Sequence, residues 1–248
     1  MQHKKIAFVK SILRRCLRNA AGFFFPSLCI SCDNSCSSNN PWLCAECLSR
    51  LRINHEERTP CPRCGQDRRF TTCACEYAWD FPFEKIYSIF SFDDIVKKVA
   101  HAFKYDGLKS LAFFSGKEFG PLVPSDFWNS ADLMVPVPLH LLRKLGRGYN
   151  QAECFAAGIL ASENRSITLC ANALRRKRHT KTQTALTRAQ RLRNLSNAFC
   201  VPRPALVRGK HIVLVDDIVT TGATTGQCSR ALLDAGASTV RVLSLARD

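Results

Sequence analysis

A short strand, an acidic pair and a Thr–Gly loop follow one another at residues 213–225, which read VLVDDIVTTGATT. The apolar residues end in Asp216 and Asp217, and a helical pattern begins after the loop. Such a loop presents backbone N–H groups and the positive end of a helix dipole at the carboxyl edge of a parallel sheet. We therefore expect it to bind a phosphate group, while the two carboxylates accept hydrogen bonds from ribose hydroxyls. The residues that would surround the phosphate are Thr220, Thr221, Gly222, Ala223 and Thr224.

Two other functions are possible for an acidic pair or a Gly-rich turn, and neighbouring residues argue against both. Nucleotide-hydrolysing motors need a G-x-x-x-x-G-K-[ST] loop. Both Gly-Lys pairs of this chain are followed by the wrong residue, Glu118 in one case and His211 in the other. A dinucleotide-binding motif would open at Gly146 and Gly148, but Gln151 stands where its third Gly belongs. The chain therefore lacks the loop of a motor, and its match to a dinucleotide-binding motif is weak.

The second half of the chain alternates between strand and helix patterns. Short apolar runs are typical of buried parallel strands, and the helices between them supply crossover connections. The pattern predicts an α/β domain over residues 81–248, with a parallel sheet and flanking helices. The predicted strands are residues 86–92, 133–137, 212–215 and 240–245, and the predicted helices are residues 93–105, 149–161 and 225–235.

Ten of the 14 cysteines fall before residue 80, and eight of these form closely spaced pairs. Thiols stay reduced in the cytoplasm, so clustered cysteines there indicate a metal before a disulfide. Two groups of four suit two tetrahedral zinc sites, and the zinc would be structural because four thiolates leave no open position. Residues 26–80 are thus predicted to form a zinc-ribbon-like module, in which Cys36 either replaces Cys32 or is a free thiol. The predicted ligands are Cys29, Cys32, Cys44, Cys47, Cys61, Cys64, Cys73 and Cys75.

The net charge of +16 is concentrated in one part of the chain. Residues 130–210 hold 15 Lys/Arg against 3 Asp/Glu, a local balance of +12, and residues 175–193 hold eight basic residues and no acidic one. Such a segment suits an anionic partner, either a ligand phosphate or a nucleic-acid backbone, and a solvated basic helix is the structural alternative. The candidate nucleic-acid contacts are Arg175, Arg176, Arg178, Lys181 and Arg191.

Residues 1–25 are basic and partly apolar. Ile6, Val9, Ile12 and Leu13 recur at helical spacing with Lys and Arg between them, which predicts a basic amphipathic helix. Arginines interrupt any signal-peptide core, and no apolar run reaches the roughly 18 residues that span a membrane. We therefore expect a cytoplasmic protein, whose N-terminal helix either packs on the domain behind it or lies peripherally on the inner membrane.

These motifs together resemble a known protein family. Residues 213–225 are similar to the thirteen-residue phosphoribosyl pyrophosphate motif of type I phosphoribosyltransferases. Residues 103–107 (FKYDG), 135–140 (VPVPLH) and 147–151 (RGYNQ) resemble sequence elements of the ComF family of competence-related proteins, which includes GntX-type members. With the N-terminal cysteines, the resemblance covers residues 26–247.

The resemblance implies a type I phosphoribosyltransferase-like domain that follows an N-terminal double zinc ribbon. It implies that the protein binds phosphoribosyl pyrophosphate with Mg²⁺, and that Asp216 and Asp217 are catalytic residues that hold the ribose. It also implies a role in DNA uptake during natural transformation, with single-stranded DNA and a separate DNA-translocating ATPase as partners. The residues implied to form a basic loop for pyrophosphate are Arg143, Lys144, Arg147, Asn150 and Gln151.

Two functions stay open at this point. In the first, the chain is a ComF-like protein that binds phosphoribosyl pyrophosphate and acts on single-stranded DNA. In the second, it is an active phosphoribosyltransferase of nucleotide metabolism, in which Mg²⁺ and cationic side chains stabilise the leaving pyrophosphate. The sequence contains no recognisable nucleobase pocket, so it identifies no acceptor and leaves open whether transfer is catalysed.

Overall fold

The computed structural model covers the predicted sheet, the acidic pair and both cysteine groups. The residues that it describes are 27–37, 39–73, 75, 81–105, 108–139, 148–162, 166–176 and 198–248. The predicted helix at residues 1–25 lies outside these ranges. So do six of the predicted site residues, which are Arg143, Lys144, Arg147, Arg178, Lys181 and Arg191.

The described residues form a main sheet, a small hairpin and a set of helices. The main sheet contains β1 (Ile86–Ser91), β2 (Leu133–Pro136), β3 (Thr168–Leu169), β6 (His211–Val219) and β7 (Thr239–Arg247). The hairpin contains β4 (Arg175–Arg176) and β5 (Phe199–Cys200). The α-helices are α1 (Ala45–Glu57), α2 (Asp94–Tyr105), α3 (Lys109–Phe119), α4 (Gln151–Ser162) and α5 (Ala223–Asp234), and 3₁₀ turns occur at Gly120–Leu122, Ser125–Trp128 and Pro204–Leu206.

The strands of the main sheet lie in the order β1-β7-β6-β2-β3, and every pair of neighbours is parallel. Parallel neighbours need a crossover connection, which α4 supplies between β2 and β3 and α5 supplies between β6 and β7. The predicted α/β fold, a parallel sheet with flanking helices, is therefore confirmed. The carboxyl ends of β2, β6 and β7 meet at one edge of this sheet.

The sheet is buried on both faces, as its continuous apolar strands predict. Val213 and Val215 pack into one hydrophobic cluster together with residues of α2, α3 and α4. Ile212 and Leu214, the alternate residues of the same strand, pack into a second cluster together with α5 and the hairpin. Helices α2–α4 thus cover one face of β6, and α5 covers the other.

The hairpin β4–β5 was not predicted from the sequence. Arg175 pairs with Cys200 and Arg176 pairs with Phe199 in antiparallel register. Strands of two residues carry no readable periodicity, and these two are separated by residues 177–197. The structure therefore places Arg175 and Arg176 in a strand beside α5, where the sequence indicated only a basic segment.

Helices α3 and α4 cross at a pair of glycines. A Cβ added to Gly158 would lie 2.0 Å from the carbonyl oxygen of Phe113, and one added to Gly116 would lie 2.1 Å from that of Phe155. Both distances are far shorter than a van der Waals contact. The two backbones approach so closely because neither helix carries a side chain at the crossing.

Replacing Gly158 with Ala is expected to destabilise the protein by about 1–3 kcal/mol, because the new methyl group overpacks this crossing. Helix propensity alone would instead stabilise the protein, by about 1 kcal/mol. The free energy of unfolding in urea shows which of these two effects is larger. Ala161→Gly, at an exposed position of α4, measures the effect of helix propensity without the crossing. A Gly158→Ala protein more stable than the wild type would contradict the close crossing.

The cysteine-rich segment shares the hydrophobic core of the sheet. Cys44, Cys47 and Leu51 of this segment are buried in the same cluster as Ile89 and Phe90 of β1. None of the helices in the described part of the chain is long and apolar enough to cross a lipid bilayer.

Candidate functional site

The predicted phosphate loop joins the carboxyl end of β6 to the first turn of α5. Gly222 is the N-cap residue of α5 and has a φ of 76°, a left-handed conformation that favours glycine. Asp216 and residues 218–225 line a concavity of about 40 Å³, which is several times the 10–15 Å³ that one ordered water needs. The first turn of a helix has N–H groups without intrahelical partners. The concavity therefore has the size and the donors that suit a phosphate group.

Hydrogen bonds within the loop give it a defined shape. The buried Thr225 hydroxyl donates to the carbonyl of Gly222 at 3.0 Å, and the N–H of Gly226 donates to the same carbonyl at 2.8 Å. The N–H of Ala223 donates to Thr221 Oγ1 at 3.4 Å. These contacts fix the carbonyl of Gly222 toward the helix.

Asp216 and Asp217 face different sides of the sheet. Asp216 lines the loop concavity and acts electrostatically on Cys228, a buried thiol of α5 whose pKa is raised chiefly by its burial. Asp217 is 5% exposed, and its Oδ2 accepts a hydrogen bond from Gln151 Nε2 at 3.2 Å. Within the acidic pair, Asp216 therefore faces the loop, and Asp217 is hydrogen-bonded to the first residue of α4.

Asn150 and Gln151 have buried hydrogen-bonding positions at the start of α4. Asn150 Nδ2 donates to the carbonyl of Val137 at 3.0 Å, and its Oδ1 accepts from the N–H of Ala152 at 3.2 Å. The first bond holds the segment after β2, and the second caps the helix. Gln151 Oε1 is buried and has no hydrogen-bond partner in the described part of the chain, where it is available as an acceptor beside Asp217. That either residue contacts pyrophosphate remains a prediction.

The two described arginines of the basic segment differ in their surroundings. Arg175 is exposed, whereas Arg176 is partly buried, and its guanidinium lies 5.5 Å from the ring centroid of Phe199. Arg175 is thus free to meet a polyanion at the surface, and Arg176 is also part of the packing of the hairpin. A contact of either one with nucleic acid remains a prediction.

The first group of cysteines forms a compact cluster. The Sγ atoms of Cys29, Cys32, Cys44 and Cys47 all lie within 4.8 Å of one another. Cys32 Sγ is 3.5 Å from Cys44 Sγ and 3.6 Å from Cys47 Sγ. Tetrahedral zinc with Zn–S bonds of about 2.3 Å holds its sulfurs about 3.8 Å apart. The group therefore fits zinc, and Cys32 rather than Cys36 completes it.

The second group repeats this arrangement. Its four Sγ atoms, those of Cys61, Cys64, Cys73 and Cys75, also lie within 4.8 Å of one another. The carbonyl of Cys61 accepts from the N–H of Gly65 at 3.0 Å, as the carbonyl of Cys29 does from the N–H of Asp33. Gly65 and Asp33 both have positive φ, 69° and 61°. Two knuckles of the same shape thus present their sulfurs to two metal sites.

Backbone donors favour the thiolate at the first cysteine of each group. Burial raises the pKa of Cys29 and Cys61, but hydrogen bonds from neighbouring backbone groups outweigh it. The pKa falls to about 7 for Cys29 and to about 6 for Cys61. Because zinc binds the thiolate form, these two thiols are prepared to give up their protons to the metal.

Comparison with known proteins identifies the relatives of the chain. Residues 155–248 match the Phosphoribosyl transferase domain family. The DNA utilization protein YhgH of Shigella flexneri is 28% identical over 235 residues, which cover 90% of this chain and 97% of that protein. Competence protein F of Haemophilus influenzae is 27% identical to this chain, and the alignment covers 90% of this chain and 98% of that protein. The chain is similar to these DNA utilization and competence proteins over about 90% of its length. Competence protein ComFC of Bacillus subtilis is a further relative, 24% identical over 92% of this chain and 98% of its own length.

Two residues beside the phosphate loop were not predicted from the sequence. A Cβ added to Gly222 would lie 3.2 Å from the ring of Phe81 and 3.8 Å from Arg247 Nη1. Arg247 Nε also donates to Gln66 Oε1 of the second cysteine knuckle at 3.2 Å. No local motif marks either residue, because each reaches the loop from a distant part of the sequence.

We predict that the protein binds two zinc ions per chain. A Cys64→Ser variant is expected to retain one zinc ion and to lose several kcal/mol of stability, because metal binding at a structural site contributes directly to folding. Native mass spectrometry counts the ions, and thermal unfolding reports the stability.

Cys36→Ser is the matched control, because it changes a cysteine near the first cluster that is not one of its four members. This variant should retain both ions. Loss of zinc from Cys36→Ser, or two ions in Cys64→Ser, would contradict the two groups of four.

Proposed function

We propose that this protein binds phosphoribosyl pyrophosphate with Mg²⁺ at the loop after β6 and acts on single-stranded DNA during natural transformation. The main observation that supports ligand binding is the geometry of residues 216–225, where the Asp216 carboxylate and the N-terminus of α5 line one concavity. This segment belongs to the region that matches the Phosphoribosyl transferase domain family. A ligand with a phosphate and vicinal hydroxyls has the groups that this concavity can bind.

The proposed ligand would occupy the carboxyl edge of the sheet. Its 5′-phosphate would accept hydrogen bonds from the N–H groups and hydroxyls of residues 220–224. Its ribose hydroxyls would donate to Asp216 and, across the edge, to Asp217, which Gln151 already orients. Pyrophosphate would then extend toward the segment after β2, which Asn150 holds in place. The chemistry of this segment suits an anion, since Arg143, Lys144 and Arg147 belong to it.

The proposed role in DNA uptake rests on the relatives and on charge. The relatives carry the names of DNA utilization and competence proteins, and the chain matches nearly the whole length of each. Residues 175–193 add eight basic side chains without an acidic one, and Arg175 at their start is exposed. Because the sequence contains no motor loop, translocation of the strand would be the work of a separate ATPase.

Active phosphoribosyl transfer is the second candidate, and the intact acidic pair favours it. Positive charge develops on the ribose ring when pyrophosphate leaves, and a carboxylate such as Asp216 stabilises this charge electrostatically. Mg²⁺ supplies charge stabilisation of the leaving pyrophosphate when it is bound with the ligand. Release of pyrophosphate that depends on an added acceptor distinguishes this function from ligand binding alone.

The ligand proposal predicts micromolar binding of phosphoribosyl pyrophosphate in the presence of Mg²⁺. An Asp216→Asn, Asp217→Asn double variant should bind at least tenfold more weakly, because a hydrogen bond to a charged group contributes about 1.5–3 kcal/mol. Isothermal titration calorimetry of the zinc-loaded protein measures both affinities.

Asp234→Asn is the control, because it removes one negative charge at the exposed far end of α5. It should bind as the wild type does. Absence of binding by the wild-type protein would overturn the ligand proposal, and equal binding by the double variant would exclude the acidic pair as its ribose contact.

The DNA proposal predicts that affinity for single-stranded DNA falls steeply with salt. Replacing Arg175, Arg176 and Arg178 with Ala should reduce the slope of log K against log salt by up to about 2, because each phosphate contact contributes about 0.7. Fluorescence anisotropy with a labelled oligothymidine measures the slope, and affinity for phosphoribosyl pyrophosphate should be unchanged.

A triple control variant replaces Arg50, Lys97 and Lys117, three exposed cations on helices that pack on the other face of the sheet. It should lower DNA affinity much less. Equal losses in the two triple variants would show that net charge, rather than the segment beside the hairpin, determines the affinity.

A further inference from the structure

We propose that Arg247 is a positioning residue through which the second cysteine cluster, when it holds zinc, fixes the shape of the phosphate loop. The inference rests on the proposed function, because it concerns the loop that would bind the ribose phosphate. On this proposal, Arg247 at the end of β7 has a role in shaping the loop, and zinc in the second cysteine cluster supports the neighbouring ribose-phosphate site.

Arg247 lies where the cysteine module and the phosphate loop meet. It is the last residue of β7, and it pairs with Val219 of β6 on one side and with Ser91 of β1 on the other. The N–H of the next residue, Asp248, donates to the carbonyl of Val219 at 3.0 Å. The backbone of Arg247 is thus held one residue away from the start of the loop.

The side chain of Arg247 extends from there to the second cysteine knuckle. Its Nε donates to Gln66 Oε1 at 3.2 Å, and Gln66 follows the knuckle residue Gly65. The four thiols of the second cluster act electrostatically on the guanidinium, which is partly buried. A zinc ion with four thiolates carries a net negative charge, so the loaded cluster is an anionic partner for this partly buried cation.

The other end of the guanidinium faces the phosphate loop. Arg247 Nη1 is buried, has no hydrogen-bond partner among the residues that the structure describes, and lies 3.8 Å from the position of a Cβ on Gly222. The ring of Phe81 lies 3.2 Å from the same position and 3.1 Å from that of a Cβ on Gly226. Arg247 and Phe81 therefore form the wall against which the backbone of the loop rests.

The knuckle is also joined directly to the sheet. The N–H of Ile86 in β1 donates to the carbonyl of Arg63 at 2.7 Å, and the hydroxyl of Ser91 donates to Asp67 Oδ2 at 2.5 Å. Loss of zinc would release the four cysteines, reduce the negative charge beside Arg247 and free Gln66 to move. A partly buried guanidinium with a weakened anionic partner is less stable in its place, so it would turn toward water and leave the loop without its wall.

The first cluster has different neighbours, which makes it a control. Cys44 and Cys47 pack in the hydrophobic cluster with Ile89 and Phe90 of β1. Zinc at this cluster should therefore stabilise the fold without acting on the loop. The two metal sites are expected to differ in what they do for the phosphate site.

An Arg247→Met variant tests the proposal. It should retain two zinc ions, show at least tenfold faster hydrogen exchange of the loop amides at residues 220–226 without any ligand, and bind phosphoribosyl pyrophosphate about tenfold more weakly. In Arg247→Lys, loop exchange and ligand affinity should both lie closer to the wild-type values, because this variant keeps the positive charge. Arg241→Met, at the other end of β7, removes an arginine that bonds to Glu84 and Phe127 and should leave loop exchange unchanged.

Cluster-specific variants complete the test. Cys64→Ser should accelerate exchange of the loop amides as Arg247→Met does, whereas Cys47→Ser should not. Unchanged loop exchange in Arg247→Met, or equal acceleration by the two cysteine variants, would overturn the proposal. If the wild type binds no phosphoribosyl pyrophosphate, the proposed function fails, while the exchange measurements still decide whether the cluster shapes the loop.

Discussion

The pairing of β6 with β7 and β2 is the interaction on which the rest of the structure depends. β6 is paired with β7 from His211 to Val219 and with β2 on its other edge. Its apolar residues are divided between two hydrophobic clusters, so the helices on both faces are fixed by one strand. Asp216 and Asp217 directly follow the part of the strand that is held on both edges and both faces, and the pairing with β7 continues past them to Val219. A preorganised site of this kind spends little free energy on ordering its own groups when a ligand binds.

The two cysteine knuckles show how one local geometry arises from different residues. Each knuckle needs a left-handed residue after its second cysteine, and Gly65 supplies it in one while Asp33 supplies it in the other. Glycine adopts this conformation without steric cost, and Asp is one of the few other residues that tolerate it. The spacing of the cysteines was therefore enough to predict both groups, although only the second contains the glycine that is typical of such a knuckle.

Local patterns predicted much of the fold because their causes are local. The apolar run before Asp216 and the Thr–Gly loop after it were recognised as a strand and a helix start, and the structure has both. The roles given to Asn150 and Gln151 were harder to anticipate, because polar residues near a site can either face a ligand or join elements beneath it. The hairpin that contains Arg176 was missed for a related reason, since its partner Phe199 lies 23 residues away and the pairing leaves no periodic pattern.

The bond between Arg247 and Gln66 joins residues 181 positions apart and is invisible to any local pattern. It arises because β1 and β7 are neighbours in the sheet, so the knuckle that is hydrogen-bonded to the start of β1 lies beside β7. The same edge carries the loop after β6, since β7 is also the neighbour of β6. Strand order alone thus brings a cysteine cluster from the first third of the chain and the predicted phosphate loop from the last third to the two sides of one arginine. A cation in that position interacts with whatever charge each side holds, so the occupancy of the metal site and the shape of the loop are physically linked.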